Sequence, residues 1–198
     1  HYSSWQDYWR HSDPFKEISF WHSSYVNKRY DIIGFKGDET RDAAYQIDRI
    51  VNEMNKGKYK SMSDSLVAVN LKLLIHMVGD MHCPSHVVYT KDFGMAGYSI
   101  KVKGKKCSRH KFWDASPQYM HPKWKADRFV KAYDTYSPKE IKKICKGNPY
   151  KWSVQNGHSI LKTYEYWDKG AEFTKLSKEQ RKQIDETLHE QLAFAGYR

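Results

Sequence analysis

The chain has 198 residues, enough for one domain and marginal for two. Its thirty aromatic residues exclude a disordered chain, and no stretch approaches the ~18 consecutive apolar residues of a membrane span. Lys and Arg outnumber Asp and Glu by 34 to 23, a surplus of +11 that favours polyanionic partners such as nucleic acid or anionic lipid, and three cysteines are too few for a disulfide scaffold.

The opening HYSSWQDYWRHSDPF lacks an initiating Met and every part of a secretory signal, so the chain is expected to start after a removed leader or partway into a longer protein. Residues 1–37 read as aromatic and irregular. From Asp38, a plausible cap, apolar residues at Ala43, Ala44, Ile47, Ile50, Val51 and Met54 predict a helix ending before Gly57. A second helix is expected from Asp64 to about Met81, apolar nearly all round and therefore central. Pro84 stops it. Between Val87 and Val102 the pattern suggests a β-hairpin around Gly94 and Gly97. Helical periodicity returns after Lys111, at Lys123–Tyr136, at Pro138–Cys145, from Trp152 to about Lys169, and at Lys178–Ala195, where Ser177 and Gln180 form a capping box. The fold class expected is mainly α, one multi-helix domain over 1–198 with a small β-hairpin.

The strongest chemical signal is HMVGDMHCPSH, residues 76–86. His76 and Asp80 lie four apart on an apolar helix, so their side chains share one face, one turn apart. A carboxylate in that setting needs a partner, because an uncompensated buried charge costs several kcal/mol. A hydrogen bond between the two would suffice for one such pair; a metal ion is the other way to compensate it. His110 and Asp114, in HKFWD, repeat the spacing, and His86 follows the first pair. Two such pairs plus a further histidine favour the metal. Imidazole and carboxylate are usual zinc ligands, and the absence of any Cys-x-x-Cys argues against a structural zinc finger. Asp7, in WQDYWR, and His22, in FWHSS, stand in aromatic surroundings without a diagnostic spacing.

Taken in order, WQDYWR, FWH, HMVGDMHCPSH and HKFWD resemble the zinc-dependent single-strand-specific nuclease family (S-one/P-one type), within the phospholipase C/nuclease superfamily. The resemblance runs from Trp5 to the C-terminus and implies that superfamily's multi-helix fold. It implies a first zinc held by Asp7, His22, His76 and Asp80, and a second by His86, His110 and Asp114. A third zinc of the family needs a Trp-then-His segment absent before Asp7, so residues 1–198 are expected to lack an N-terminal segment of the domain. Arg10 matches a basic position that faces the scissile phosphate, and Asp7 is the residue expected to orient the attacking water. By the same resemblance Tyr25, Asn27, Gly97 and Tyr98 fall at substrate-binding positions, although Ser23 and Ser24 follow His22 where the family often has an aromatic.

The activity so implied is zinc-dependent hydrolysis of single-stranded RNA or DNA to 5′-mononucleotides, with 3′-nucleotidase activity. Single-stranded nucleic acid or 3′-nucleotides would be the substrate, with no stable membrane association. Two alternatives stand beside it. A zinc phospholipase C shares the metal arrangement, and a catalytically weak, metal-stabilised fragment or binding module would keep the metals without turnover. Relatives of this kind are exported, and the chain has no Asn-x-Ser/Thr acceptor, so a secreted or periplasmic location is expected.

Overall fold

The computed structural model describes residues 4–13, 15–27, 29, 31–89 and 99–198. Eight α-helices lie among them: α1 (Trp5–Trp9), α2 (Ala43–Met54), α3 (Asp64–Met81), α4 (Arg109–Met120), α5 (Ala126–Tyr133), α6 (Pro138–Ile144), α7 (Pro149–Lys162) and α8 (Lys178–Tyr197). Four short strands, β1 (Ser24–Val26), β2 (Val87–Tyr89), β3 (Ser99–Val102) and β4 (Lys105–Ser108), form two two-stranded sheets. The mainly helical architecture with a small hairpin agrees with the sequence, and no helix among the described residues is long and apolar enough to cross a membrane.

Capping residues set the helix starts. The Asp42 side chain accepts from Ala44 N, and Ser63, Ser108 and Asn148 do the same for the backbone N–H three residues on in α3, α4 and α7. Ser137 with Glu140 and Ser177 with Gln180 close full capping boxes. The helix expected from Asp38 begins instead at Ala43, because Asp38 spends its side chain on Thr40 N, capping a 3-10 turn at Glu39–Arg41. The helix expected from Trp152 to Lys169 runs Pro149–Lys162 and ends in a 3-10 turn at Thr163–Glu165.

Two further expectations are corrected. The hairpin spans 99–108 rather than 87–102. Its two-residue turn, Lys103–Gly104, has positive φ at both positions (53° and 75°), the backbone twist a tight hairpin needs. Residues 87–89 pair in parallel with β1 instead, in the register Ser24↔Val87, Tyr25↔Val88 and Val26↔Tyr89. Second, α3 is not buried all round: Leu73, Met77 and Met81, four apart, face inward, whereas Leu66, Leu71 and Ile75 stand in solvent.

The core has two main parts. Ile18, Ala44, Ile47, Ile50, Leu73, Met77 and Met81 join α2 to α3, while Ile100, Phe112, Trp113, Trp167, Phe173, Ile184 and Leu188 join the hairpin, α4 and α8. The segment just after α3, Cys83–His86, meets the first two turns of α4 at Asp114 and His110. That junction holds the functional side chains. The three cysteines, Cys83, Cys107 and Cys145, are free thiols.

Candidate metal centre

Four separate stretches of chain deliver the donors, Asp7 coming from α1. On α3, His76 and Asp80 project one turn apart, and His76 Nε2 lies 3.0 Å from Asp80 Oδ2. On α4, His110 and Asp114 repeat the arrangement, with Nε2 3.1 Å from Oδ2. The parallel β1–β2 pair brings His22 and His86 together. Ser24 N donates to the His86 carbonyl (2.9 Å), and His86 Nδ1 lies 2.8 Å from the His22 carbonyl oxygen. Residues 64 positions apart are thereby pinned side by side at the mouths of the two strands. Asp42 holds β1 from the other side, accepting from Tyr25 N at 2.7 Å.

The donors fall into two groups. In the first, His22 Nδ1, His76 Nε2 and Asp80 Oδ2 form a triangle with sides of 2.9, 2.9 and 3.0 Å, and Asp7 Oδ1 lies 3.7 Å from His22 Nδ1. In the second, His86 Nε2 and His110 Nε2 are 3.0 Å apart, and Asp114 places one oxygen 3.4 Å from the former and the other 3.1 Å from the latter. Asp80 touches both groups, since its Oδ2 is 3.4 Å from His86 Nδ1. Cys83 Sγ and Ser85 Oγ each stand 3.4 Å from Asp114 Oδ1 and steady that carboxylate.

Hydrogen bonding alone does not satisfy these triangles. A ring nitrogen carries either one hydrogen or one lone pair. If His22 and His76 both donate to Asp80, their two N–H groups point at each other across 2.9 Å. A cation at the centre resolves the conflict by accepting all the lone pairs at once. Donors ~2.0–2.1 Å from one ion stand ~2.9–3.4 Å apart, which is the spacing seen here. The residues present therefore fit a metal ion. The triads Asp7–His22–His76, His22–Asp80–His86 and Cys83–His86–Asp114 each place their ligand atoms within 4.8 Å of one another.

The electrostatics point the same way. Burial pushes the Asp80 carboxyl up, but hydrogen bonds from His22 and His76 and the charge of His86 overcome it and hold the group below the usual carboxylate range. Burial pushes His86 down, yet the Asp114 hydrogen bond and the Asp80 charge carry it up to about 9. A buried imidazole that holds its proton this strongly sits where positive charge is wanted.

The seven donor residues of the two groups and Cys83 line one cleft of about 670 Å³. Arg10 and Tyr25 line it too, with Arg10 Nη1 3.4 Å from both Asp7 Oδ1 and His22 Nε2. Arg10 Nε is buried and has no hydrogen-bond partner among the described residues. Asn27 is not brought to the cleft. Its amide accepts from Arg29 N and Asp31 N and donates to Asp31, so both ends are spent on its own turn. Gly97 and Tyr98 lie outside the described residues. His82 lines the cleft but joins neither donor group, because its Nδ1 lies on the Val78 carbonyl and its Nε2 accepts from Arg198. Sequence reasoning missed Cys83 and Ser85 beside Asp114, although both lie inside the HMVGDMHCPSH motif. It also missed the α8 wall, Thr187, Leu188, Gln191 and Leu192, for which no local signal exists.

A family model described as S1/P1 Nuclease matches residues 1–198. The chain belongs to the S1/P1 nuclease family. Membership makes it a nuclease, a hydrolase whose substrate is nucleic acid, in a family that uses metal ions. Comparison with the curated proteins found no match. In this S1/P1 nuclease the two donor groups and Arg10 share one concave site, the arrangement expected for metal-assisted hydrolysis.

Proposed function

We propose that the chain is a zinc-dependent phosphodiesterase that hydrolyses single-stranded RNA and DNA to 5′-mononucleotides and removes 3′-phosphates from nucleotides. The observation that carries this reading is the meeting, in one cleft, of two triangles of converging donors with an arginine whose Nε–H points at no protein acceptor among the described residues. Asp7, His22, His76 and Asp80 would hold one zinc, and His86, His110 and Asp114 the other. When bound, the ions supply Lewis acidity and positive charge at the reacting phosphoryl group.

The chain's own residues do the positioning. Asp7, half exposed in the cleft, accepts a hydrogen bond from the attacking water and orients it in line with the leaving 3′-oxygen. Arg10 donates Nε–H and an Nη–H to non-bridging phosphoryl oxygens, where negative charge grows in the transition state. His86 keeps its hydrogen on Nδ1 against the His22 carbonyl, which leaves Nε2 for ligation. Tyr25, on β1 and packed edge-on to Phe35 at 5.4 Å, offers a flat surface for the base beside the scissile bond. His22, His76 and His86 are buried, so the reacting phosphate must enter a recess, which a splayed single strand can do and a stacked duplex resists. Such an activity belongs outside the compartment that holds the cell's own RNA, and we place the enzyme in the periplasm or the secreted fraction.

The test is digestion of matched single-stranded and duplex oligonucleotides and of 3′-AMP, with and without zinc. The reading expects zinc-dependent release of 5′-mononucleotides from the single strand and of phosphate from 3′-AMP. Phosphatidylcholine turnover without strand cleavage would replace it with the phospholipase reading. Zinc-raised stability with no hydrolysis of any substrate would reduce the chain to a binding module.

A further inference from the structure

Beyond the metal cleft, α4, α5 and α8 enclose a second cavity of about 610 Å³. Its walls include Trp124, Phe129, Val130 and Tyr133, and it shares Pro117 and Leu192 with the metal cleft. Pro117 stands three residues after Asp114 on α4, so the two spaces adjoin within about one helical turn, ~4.5 Å of rise.

The aromatic wall is the outer margin of the larger core cluster: Tyr133 is buried and stacked on His189 at 4.9 Å, while Trp124 and Phe129 are half-buried. Trp124 stacks on His121 at 3.8 Å with the rings 16° from parallel, and His121 Nε2 is anchored 2.5 Å from Asp185 on α8. The Tyr133 hydroxyl donates to the same carboxylate at 2.6 Å. Phe129 packs against Trp124 at 5.1 Å and Tyr133 at 5.7 Å. The floor nevertheless faces solvent: Val130 is 61% exposed and Leu192 42%.

Charge says what would cover it. Residues 121–146 carry eight Lys and Arg against three Asp and Glu, a large part of the chain's cationic surplus in one short segment. Lys123, Lys125, Arg128 and Lys131 are all exposed around the aromatic groove, and the Arg128 guanidinium lies 5.3 Å from the Trp124 ring. Asp134, the carboxylate in the lining, is occupied by the Tyr197 hydroxyl at 2.6 Å. The half-buried Trp124 and Phe129 rings and the exposed Val130, set inside a cationic rim, suit single-stranded nucleic acid, whose bases pack on apolar and aromatic surface while its phosphates meet Lys and Arg.

We infer that the groove between α5 and α8 binds the nucleotides flanking the scissile bond, holding the single strand as it leaves the metal cleft across Pro117 and Leu192. This rests on the nuclease reading of that cleft and adds a binding site to it. The groove predicts that affinity grows with strand length and does not depend on base identity, because stacking and phosphate pairing read no sequence.

The test uses the zinc-loaded protein and a fluorescein-labelled phosphorothioate oligothymidylate of about twelve nucleotides, read by anisotropy. Two surface changes probe the groove independently: Val130→Asp puts a carboxylate in the floor, and the pair Lys125→Glu with Arg128→Glu reverses the rim. Each is expected to weaken binding by about tenfold, and the charge reversal to reduce the slope of log affinity against log salt by roughly 0.7 for each phosphate that the rim no longer neutralises. Thermal midpoints at the wild-type value confirm folding, and the two designs fail independently if one does not fold. Unchanged affinity and salt slope in both would overturn the inference. So would capture of wild-type protein by phosphatidylserine-containing vesicles that Val130→Asp abolishes while oligothymidylate binding persists, since the face would then be a membrane-docking surface. Hydrolysis of bis(p-nitrophenyl) phosphate by the wild type reads the metal cleft alone. Its absence would count against the nuclease reading and leave the binding result for the groove to stand by itself.

Discussion

His86 Nδ1 lies 2.8 Å from the main-chain carbonyl oxygen of His22. A carbonyl only accepts, so Nδ1 carries the hydrogen and Nε2 turns toward His110 and Asp114 with its lone pair free in the neutral ring. The bond also spans the two donor groups. The residue that presents its backbone to His86 presents its side chain to His76 and Asp80, so the β1–β2 register sets the spacing of the whole cluster.

His86→Ala removes one donor from the second group and this bond with it. Bound zinc is expected to fall by about one ion per chain and single-strand cleavage by about 10²-fold or more, as when a transition-state interaction is removed. Metal analysis of the purified variant beside its cleavage rate checks both. Full zinc content would remove His86 from the ligand set.

Arg10 tests the hold on the phosphate. Arg10→Ala should lower kcat/KM on 3′-AMP by about 10²–10³-fold, equivalent to ~3–4 kcal/mol of transition-state binding. Arg10→Lys keeps the charge but supplies no Nε–H at the buried position, so it should recover less than about a tenth of the loss. Steady-state kinetics of the three proteins decide it; wild-type rates in Arg10→Lys would mean that charge alone suffices.

Asp42 tests the frame. It is fully buried, caps α2 through Ala44 N and holds β1 through Tyr25 N. Asp42→Ala strands both donors and should cost ~2–4 kcal/mol in urea unfolding. A loss under about 0.5 kcal/mol would show that β1 is held by other interactions.

His82, on the cleft wall but outside the two donor groups, makes stability depend on pH. Burial and the nearby Arg198 charge push its ring down to about 4, against a smaller upward pull from the Val78 carbonyl. The folded state thus binds fewer protons than the unfolded chain between about 4 and about 6.5. The stability concerned is full above pH ~6.5 and is lost as the pH falls to ~4, by about 3 kcal/mol in all. Asp42 runs the other way: burial, against several hydrogen bonds, lifts its carboxyl to about 6, so its share falls as pH rises from ~4 to ~6. The difference between wild type and His82→Gln isolates the histidine. Urea unfolding across this range should show the wild type losing stability on acidification relative to the variant, and parallel curves would refute it.

Much of the molecule is legible in its sequence. The limits of α3, Asp64–Met81, follow from Ser63 and Pro84, and the His-x-x-x-Asp spacing carries directly into the two donor pairs because both sit on helices. What joins the pairs is not legible. The parallel pairing of Ser24–Val26 with Val87–Tyr89 links strands of three residues, too short to leave a periodic signal, and VVY read alone resembles a hairpin arm. The true hairpin hides in KVKGKK, where the lysines mask the alternation and the turn depends on positive φ at Lys103 and Gly104. Family resemblance puts Asn27 near the substrate. Its amide is spent on the backbone of its own turn, a local competition that residue matching does not register.

The most direct test of the two-metal account is zinc bound per chain, measured by elemental analysis on the same samples used for single-strand cleavage, before and after dialysis against chelator and for Asp80→Ala. Asp80 Oδ2 touches His22, His76 and His86, so its loss should disturb both groups. The account predicts at least two zinc ions per chain in active wild type, cleavage that rises and falls with occupancy, and neither full zinc nor cleavage in Asp80→Ala. Undiminished cleavage by the zinc-free protein, or by Asp80→Ala, would contradict it.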